Sequence, residues 1–111
     1  MNITISGKII RGKKRGRKLG FPTVNIELND KIECGVYAGS VKVGAKNYKA
    51  GIFVSPDEKL LEVHIIGFSG DLYGKEIEVE IIRRIRDVMK FESEEALKKQ
   101  IERDIELISK S

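Results

Sequence analysis

The chain has one cysteine, one histidine, two prolines and no tryptophan. With Cys34 alone, an intrachain disulfide framework is excluded, and no CxxC or Cys/His cluster is spaced for zinc. His64 has no second histidine, so a two-histidine metal centre is excluded as well. No apolar run approaches the roughly 20 residues needed to cross a bilayer. The N-terminus lacks the basic, apolar, small-residue order of a secretory signal. The expectation is a cytoplasmic protein with no membrane partner. At 111 residues the chain is one domain by size, and Rossmann and TIM-barrel folds are too long for it.

What is present is unevenly spread. Charged residues are 34% and hydrophobic residues 41%, the balance of a globular domain. The net charge of +4 conceals a local excess. Residues 8–18 hold seven basic side chains (Lys8, Arg11, Lys13, Lys14, Arg15, Arg17, Lys18) and no acid. The remainder has 14 bases against 17 acids, a net of −3. A basic patch on an otherwise acidic domain suits an anionic ligand such as a polyphosphate or a nucleic acid.

The first two-thirds reads as β. Ile3 and Ile5 alternate with polar neighbours, as do Val24, Ile26 and Leu28. Further runs are Val36 to Val43, Tyr48 to Val54, Leu60 to Phe68 and Ile77 to Ile81. Each is short, β-branched or aromatic, and bounded by turn formers such as Asn29-Asp30 and Ser55-Pro56-Asp57. Six strands at this spacing, with eleven glycines, predict a small closed barrel, about residues 1–88 of a single domain spanning 1–111.

The period then changes. Leu97, Ile101, Ile105 and Ile108 fall on one helical face, predicting a helix over about 93–109 with Ser93 as N-cap. Glu94–Lys98, Glu95–Lys99 and Glu106–Lys110 are spaced for i,i+4 pairs. The apolar face is expected to close over the barrel as a lid on its core.

Four elements can carry chemistry. The glycine-punctuated basic loop Gly12 to Gly20 can turn backbone N–H groups and cations toward an anion, or can simply be a solvated loop. It lacks Walker A spacing, and a strand follows it. Thr23 and Asn25, two apart on a strand, share a face, so a hydroxyl and an amide can hold magnesium and phosphate together; a turn residue and a strand-edge threonine are the plainer reading. Glu62 shares a face with His64 and is flanked by Leu61 and Val63, which reads as an inward carboxylate at a barrel mouth or as an ordinary strand glutamate. Ser69 to Lys75 is a two-glycine turn whose backbone can edge a planar base.

Taken together, these pieces resemble riboflavin kinase, the flavokinase family found alone or as the C-terminal half of bacterial bifunctional FAD synthetases. The resemblance rests on Gly16-Arg17-Lys18-Leu19-Gly20-Phe21-Pro22-Thr23-Val24-Asn25, Gly35-Val36-Tyr37-Ala38 and Leu61-Glu62-Val63-His64-Ile65. It continues through Phe68-Ser69-Gly70-Asp71-Leu72-Tyr73-Gly74-Lys75, Arg84-Ile85-Arg86-Asp87 and Lys90-Phe91 to the terminal helix. Lys14 stands where the family usually has glycine, Val24 where it has alanine, and Gly51 to Pro56 lacks its usual Asn-Ile-Gly stretch.

The resemblance implies a mainly β fold, a six-stranded antiparallel closed barrel with one C-terminal α-helix. It implies transfer of the γ-phosphate of ATP to the ribityl 5′-hydroxyl of riboflavin, giving FMN and ADP; beside that implication, CTP stands open as the alternative donor. Thr23 and Asn25 would hold Mg²⁺, or another divalent metal such as Zn²⁺, with the nucleotide phosphates. Glu62 would be the general base. Gly7, Gly12, Arg15, Gly16, Arg17 and Leu19 would close over the nucleotide; Asp71, Leu72, Tyr73 and Gly74 would border its adenine. Arg86, Met89 and Phe91 would shape the flavin pocket. A monomer without nucleic acid is expected. The competing class is a small basic β-barrel that binds nucleic acid.

Overall fold

Alternation along each strand decides what is buried. In Leu60–Ile65, the side chains of Leu61, Val63 and Ile65 are buried while Glu62 and His64 are half-exposed. Across six strands the same period builds a closed antiparallel barrel in a computed structural model that describes residues 2–10 and 20–110. The strands are β1 (Ile3–Ile10), β2 (Val24–Glu27), β3 (Gly35–Val43), β4 (Lys46–Val54), β5 (Leu60–Ile65) and β6 (Glu76–Arg86). Their order around the barrel is β1-β2-β5-β4-β3-β6, closed by β1 against β6. Strands β3 to β5 form a meander and β2 returns beside β5, a Greek-key arrangement.

The inward positions fill the interior. Val41, Ile52, Val54, Leu61, Val63 and Val79 are fully buried, each contributing about 1.5–3 kcal/mol of transfer free energy. Leu28, Ile32 and Leu72, from the connections, join the same cluster. Strand β5 stops at Ile65, short of the expected Phe68, because the chain turns there: Gly67 takes a φ of 82° and the Phe68 N–H donates back to the Ile65 carbonyl at 3.4 Å. Phe68 then stacks on Tyr48 at 5.5 Å.

One crossing is unusually close. A Cβ on Gly39 would lie 2.1 Å from the Glu80 carbonyl oxygen and 2.6 Å from Ile52 Cδ1. Here β3 and β6 change register, so Ile82 of β6 has no partner across the pair.

The helix α1 (Glu94–Ser109) starts as expected: the Ser93 hydroxyl accepts from the Ala96 N–H at 3.1 Å. Its last turn is held by Lys49 Nζ, which donates to the Ser109 carbonyl at 2.7 Å. Glu95–Lys99 and Glu106–Lys110 form ion pairs; Glu94 and Lys98 do not. The helix is not a lid on the core. It lies on the outer face of β4, where Ile108 reaches to within 3.3 Å of a Cβ built on Gly51. The barrel interior is already full, so the apolar helix face packs outside it.

The β4–β5 connection is a hydrogen-bonded turn. Ser55 Oγ donates to Asp57 Oδ1 at 2.6 Å, and the Lys59 N–H donates to the same oxygen at 3.0 Å. The Ser55 hydroxyl first, then that N–H, holds the Asp57 carboxyl below its ordinary value.

Two outcomes are expected. Gly39→Ala forces β3 from β6 and destabilises by about 2 kcal/mol or more, readable as a fall in Tm of roughly 10 °C. An unchanged Tm would show that the crossing relaxes freely. Because the Asp57 carboxyl is depressed when folded, the turn's contribution is complete above the unfolded carboxyl range and is lost as pH falls through the folded value. Ser55→Ala should move the Asp57 titration, followed by carboxyl NMR, back toward its ordinary position; an unmoved midpoint removes the hydroxyl as the cause.

Candidate active site

Strand register brings distant residues into one row. Ile10 pairs with Asn25, Asn25 with Glu62, Glu62 with Phe53, Phe53 with Val36 and Val36 with Arg86. Residues directly opposite in antiparallel strands share a face. The neighbours Leu61, Val63 and Ile52 point into the core, so this row lies on the outside of the barrel. Glu62 therefore faces outward, not inward as expected from sequence. A six-stranded interior packed with apolar side chains has no solvent for a carboxylate.

Helix α1 faces this row and encloses a cleft of about 1130 Å³, closed at one side by residues 88–91. Phe53, Val36 and Gly51 belong to the sheet wall; Leu97, Ile101 and Ile105 belong to the helix wall. The three helix side chains are only half-buried because they face the cleft and not the barrel. From Glu62 to Arg86 the row crosses three strand spacings, about 14 Å along the sheet.

The Arg86 end is organised by a charge pair. Its Nη2 donates to Asp104 Oδ2 at 2.8 Å, while Nε donates to both carboxylate oxygens at 3.1 and 3.2 Å. Gln100 Nε2 donates to Asp104 Oδ1 at 3.0 Å, and Arg86 Nη1 donates to the Asp87 carbonyl at 3.0 Å. The guanidinium lies 5.9 Å from the centre of the Phe91 ring. It thus ties helix, strand end and the 87–91 connection together.

The other end is polar. Thr23 and Glu62 line the cleft, and Asn25 stands directly opposite Glu62. Although it faces outward, Asn25 is 4% exposed, and its buried Oδ1 accepts no hydrogen bond among the described residues. Such an oxygen is costly unless a donor or a cation meets it. His64 Nδ1 donates to the Pro22 carbonyl at 2.7 Å, and its ring meets Phe21 edge-on at 5.8 Å. These contacts fix the segment that carries Thr23 into the site.

The donor set fits a hard divalent cation held jointly with phosphate. Among the described residues no group of three His, Cys, Asp or Glu side chains stands ready for a metal. One amide oxygen and one hydroxyl instead leave most positions to phosphate oxygens and water, as magnesium prefers.

The residues expected from sequence divide into four sets. Thr23, Glu62, Arg86, Met89 and Phe91 line the cleft, with Asn25 beside them. Asp71, Leu72, Tyr73 and Gly74 lie on the far side of β2: the Gly74 N–H donates to Ile9 O at 3.0 Å, and Ile9 N–H donates to Lys75 O at 2.8 Å. Leu72 itself is buried in the core. Gly7 points inward, where a Cβ would lie 2.4 Å from Ile26 Cγ2, so close packing already requires glycine there. Gly12, Arg15, Gly16, Arg17 and Leu19 lie outside the described residues. Sequence reasoning missed Phe53, Asp104 and the helix side chains as cleft residues. Asp104 was detectable: it interrupts the apolar stripe of α1 at a position that faces inward.

The chain is similar to known proteins over nearly its whole length. A bifunctional riboflavin kinase/FMN adenylyltransferase of Buchnera aphidicola subsp. Schizaphis graminum is 42% identical over 96% of this chain and 38% of its own length. An RNA-binding riboflavin kinase RibR of Bacillus subtilis is 37% identical over 96% of this chain and 50% of its own. The chain thus spans half or less of these relatives. The crystal structure of riboflavin kinase from Trypanosoma brucei shares the fold at a TM-score of 0.73 and 22% identity, covering 98% of this chain and 78% of that one. A family model described as Flavokinase: Riboflavin kinase matches residues 1–111, and the chain belongs to that family.

Proposed function

We propose that this chain phosphorylates riboflavin, transferring the γ-phosphate of ATP to the ribityl 5′-hydroxyl to give FMN and ADP. The observation that carries this reading is the position of Asn25 on β2. On one side stands the β1 end, with the 71–75 turn hydrogen-bonded to it; on the other stands the apolar cleft. A nucleotide bordered by Asp71 to Gly74 and a flavin in the cleft would meet at Thr23, Asn25 and Glu62. Family membership supports the same assignment.

Thr23 and Asn25 would hold a divalent metal with the nucleotide phosphates. The metal, when bound, neutralises charge developing on the transferred group. Glu62 accepts the proton of the attacking hydroxyl, whose own pKa lies far above neutrality. Its strand is held by the buried flanking residues Leu61 and Val63, so the carboxylate is positioned by the barrel itself. Positioning matters more than base strength in a loose phosphoryl-transfer transition state. Met89, Phe91 and Phe53 offer apolar surface to the flavin rings. The glycines and arginines of residues 12–19 would cover the nucleotide.

We assign the protein to the cytoplasm as a monomer; among the described residues no helix is long and apolar enough to cross a membrane. A second reading, RNA binding, is motivated by the seven cations of residues 8–18 and by the name of the Bacillus relative. Single-strand binders stack bases on exposed rings, and among the described residues Tyr73 is the one exposed aromatic. A salt titration of single-stranded RNA binding should therefore show no steep negative slope.

FMN is expected from riboflavin, ATP and magnesium; its absence with ATP, CTP and either magnesium or zinc would overturn the assignment. Glu62→Gln should lower kcat by about 10²–10⁴-fold with little change in substrate affinity. A rate within threefold of the parent removes Glu62 as base. Asn25→Ala should raise the KM for metal–nucleotide by about tenfold or more, roughly 1.4 kcal/mol, with Tm nearly unchanged. An unaltered KM would make Asn25 structural.

A further inference from the structure

The helix wall of the cleft raises a physical question. Leu97, Ile101 and Ile105 are half-exposed while facing the apolar surface of Phe53 and Val36. Bringing the two walls together would remove apolar area from water, which is favourable. Something therefore keeps α1 away from the sheet.

The structure assigns that task to the Arg86–Asp104 pair. Ile108 seats the C-terminal turn of α1 against Gly51. One turn earlier, Asp104 meets Arg86 across the gap, with side-chain exposures of 8% and 18%. Both carboxylate oxygens are engaged by Arg86 Nε, and Gln100 takes a further position on Oδ1. Arg86 is also fixed at its other edge by the Asp87 carbonyl. A planar, doubly bonded pair of this kind has one favoured separation and cannot flatten. A pair this buried is often no more stabilising than apolar residues of similar volume, so stability alone does not account for it. Its distinct property is to hold helix and sheet a fixed distance apart. We propose that Asp104 is a positioning residue. Acting through Arg86, it props the cleft open and sets the place of Phe91, to the width of a planar ring system. The flavin as occupant rests on the function proposed above; the spacing does not.

The test is Arg86→Met combined with Asp104→Leu in the full chain. It is read by proton–proton NMR contacts between Ile105 methyls and the Phe53 ring, by riboflavin fluorescence titration, by Tm and by a kinase assay with varied ATP. The expected result is an equal or higher Tm, new Ile105–Phe53 contacts, riboflavin binding weakened about tenfold or more, and KM for ATP within twofold. Absence of the new contacts overturns the spacer. New contacts with riboflavin affinity unchanged overturn the positioning role. If the parent binds no riboflavin, the proposed function fails, while the contacts still decide the spacing. Should the double variant not fold, Asp104→Ala, which leaves Arg86 in place, is judged by the same contacts.

Discussion

The contact between Arg86 and Asp104 joins the last residue of the last strand to the middle of the only helix among the described elements. Both groups are largely removed from water, and each is satisfied by several hydrogen bonds. That completeness is what makes the burial tolerable. Removing one partner from a buried pair leaves an uncompensated charge, typically about 3–5 kcal/mol. The 87–91 connection and the middle of the helix wall are both tied to this contact. The barrel would close without it, and the last turn of α1 is held separately by Ile108 on Gly51 and by Lys49.

The barrel contributes a different constraint, which is register. Asn25, Glu62, Phe53, Val36 and Arg86 come from five strands, and hydrogen-bonded pairing places them in one line. A slip of one residue in any pair would turn that strand's contribution into the core. The inward side chains prevent such a slip, since Leu61, Val63 and Ile52 would then be exposed. Core packing and site geometry are thus one interaction viewed from two faces of the same sheet. Bulges at Ile82 and Ile85 bend β6 so that it can close the barrel and still deliver Arg86 to the row.

Much of the molecule was legible in one dimension. Two-residue alternation marked the strands, and the change to helical spacing at Leu97 marked α1, because each period follows from local backbone geometry. The Ser93 cap and two of the ion pairs were local too. Errors arose where a long-range contact decided the outcome. Glu62 faces outward because β5 closes against β2 and β4 and buries Leu61 and Val63 instead. The helix is not a lid because the interior it was expected to cover is filled by other strands.

For the candidate site, the sequence determined which side chains share a strand face and which chemistry they offer: Thr23 with Asn25, and Glu62 with His64. Period two carries that information without reference to any partner strand. Only the tertiary structure decided that Asn25 and Glu62 stand opposite one another and that their face is the outer one. It also decided that Asn25 Oδ1 is buried without a partner among the described residues, and that Asp104 closes on Arg86. Inside and outside are properties of a closed sheet, and a single strand read alone has neither.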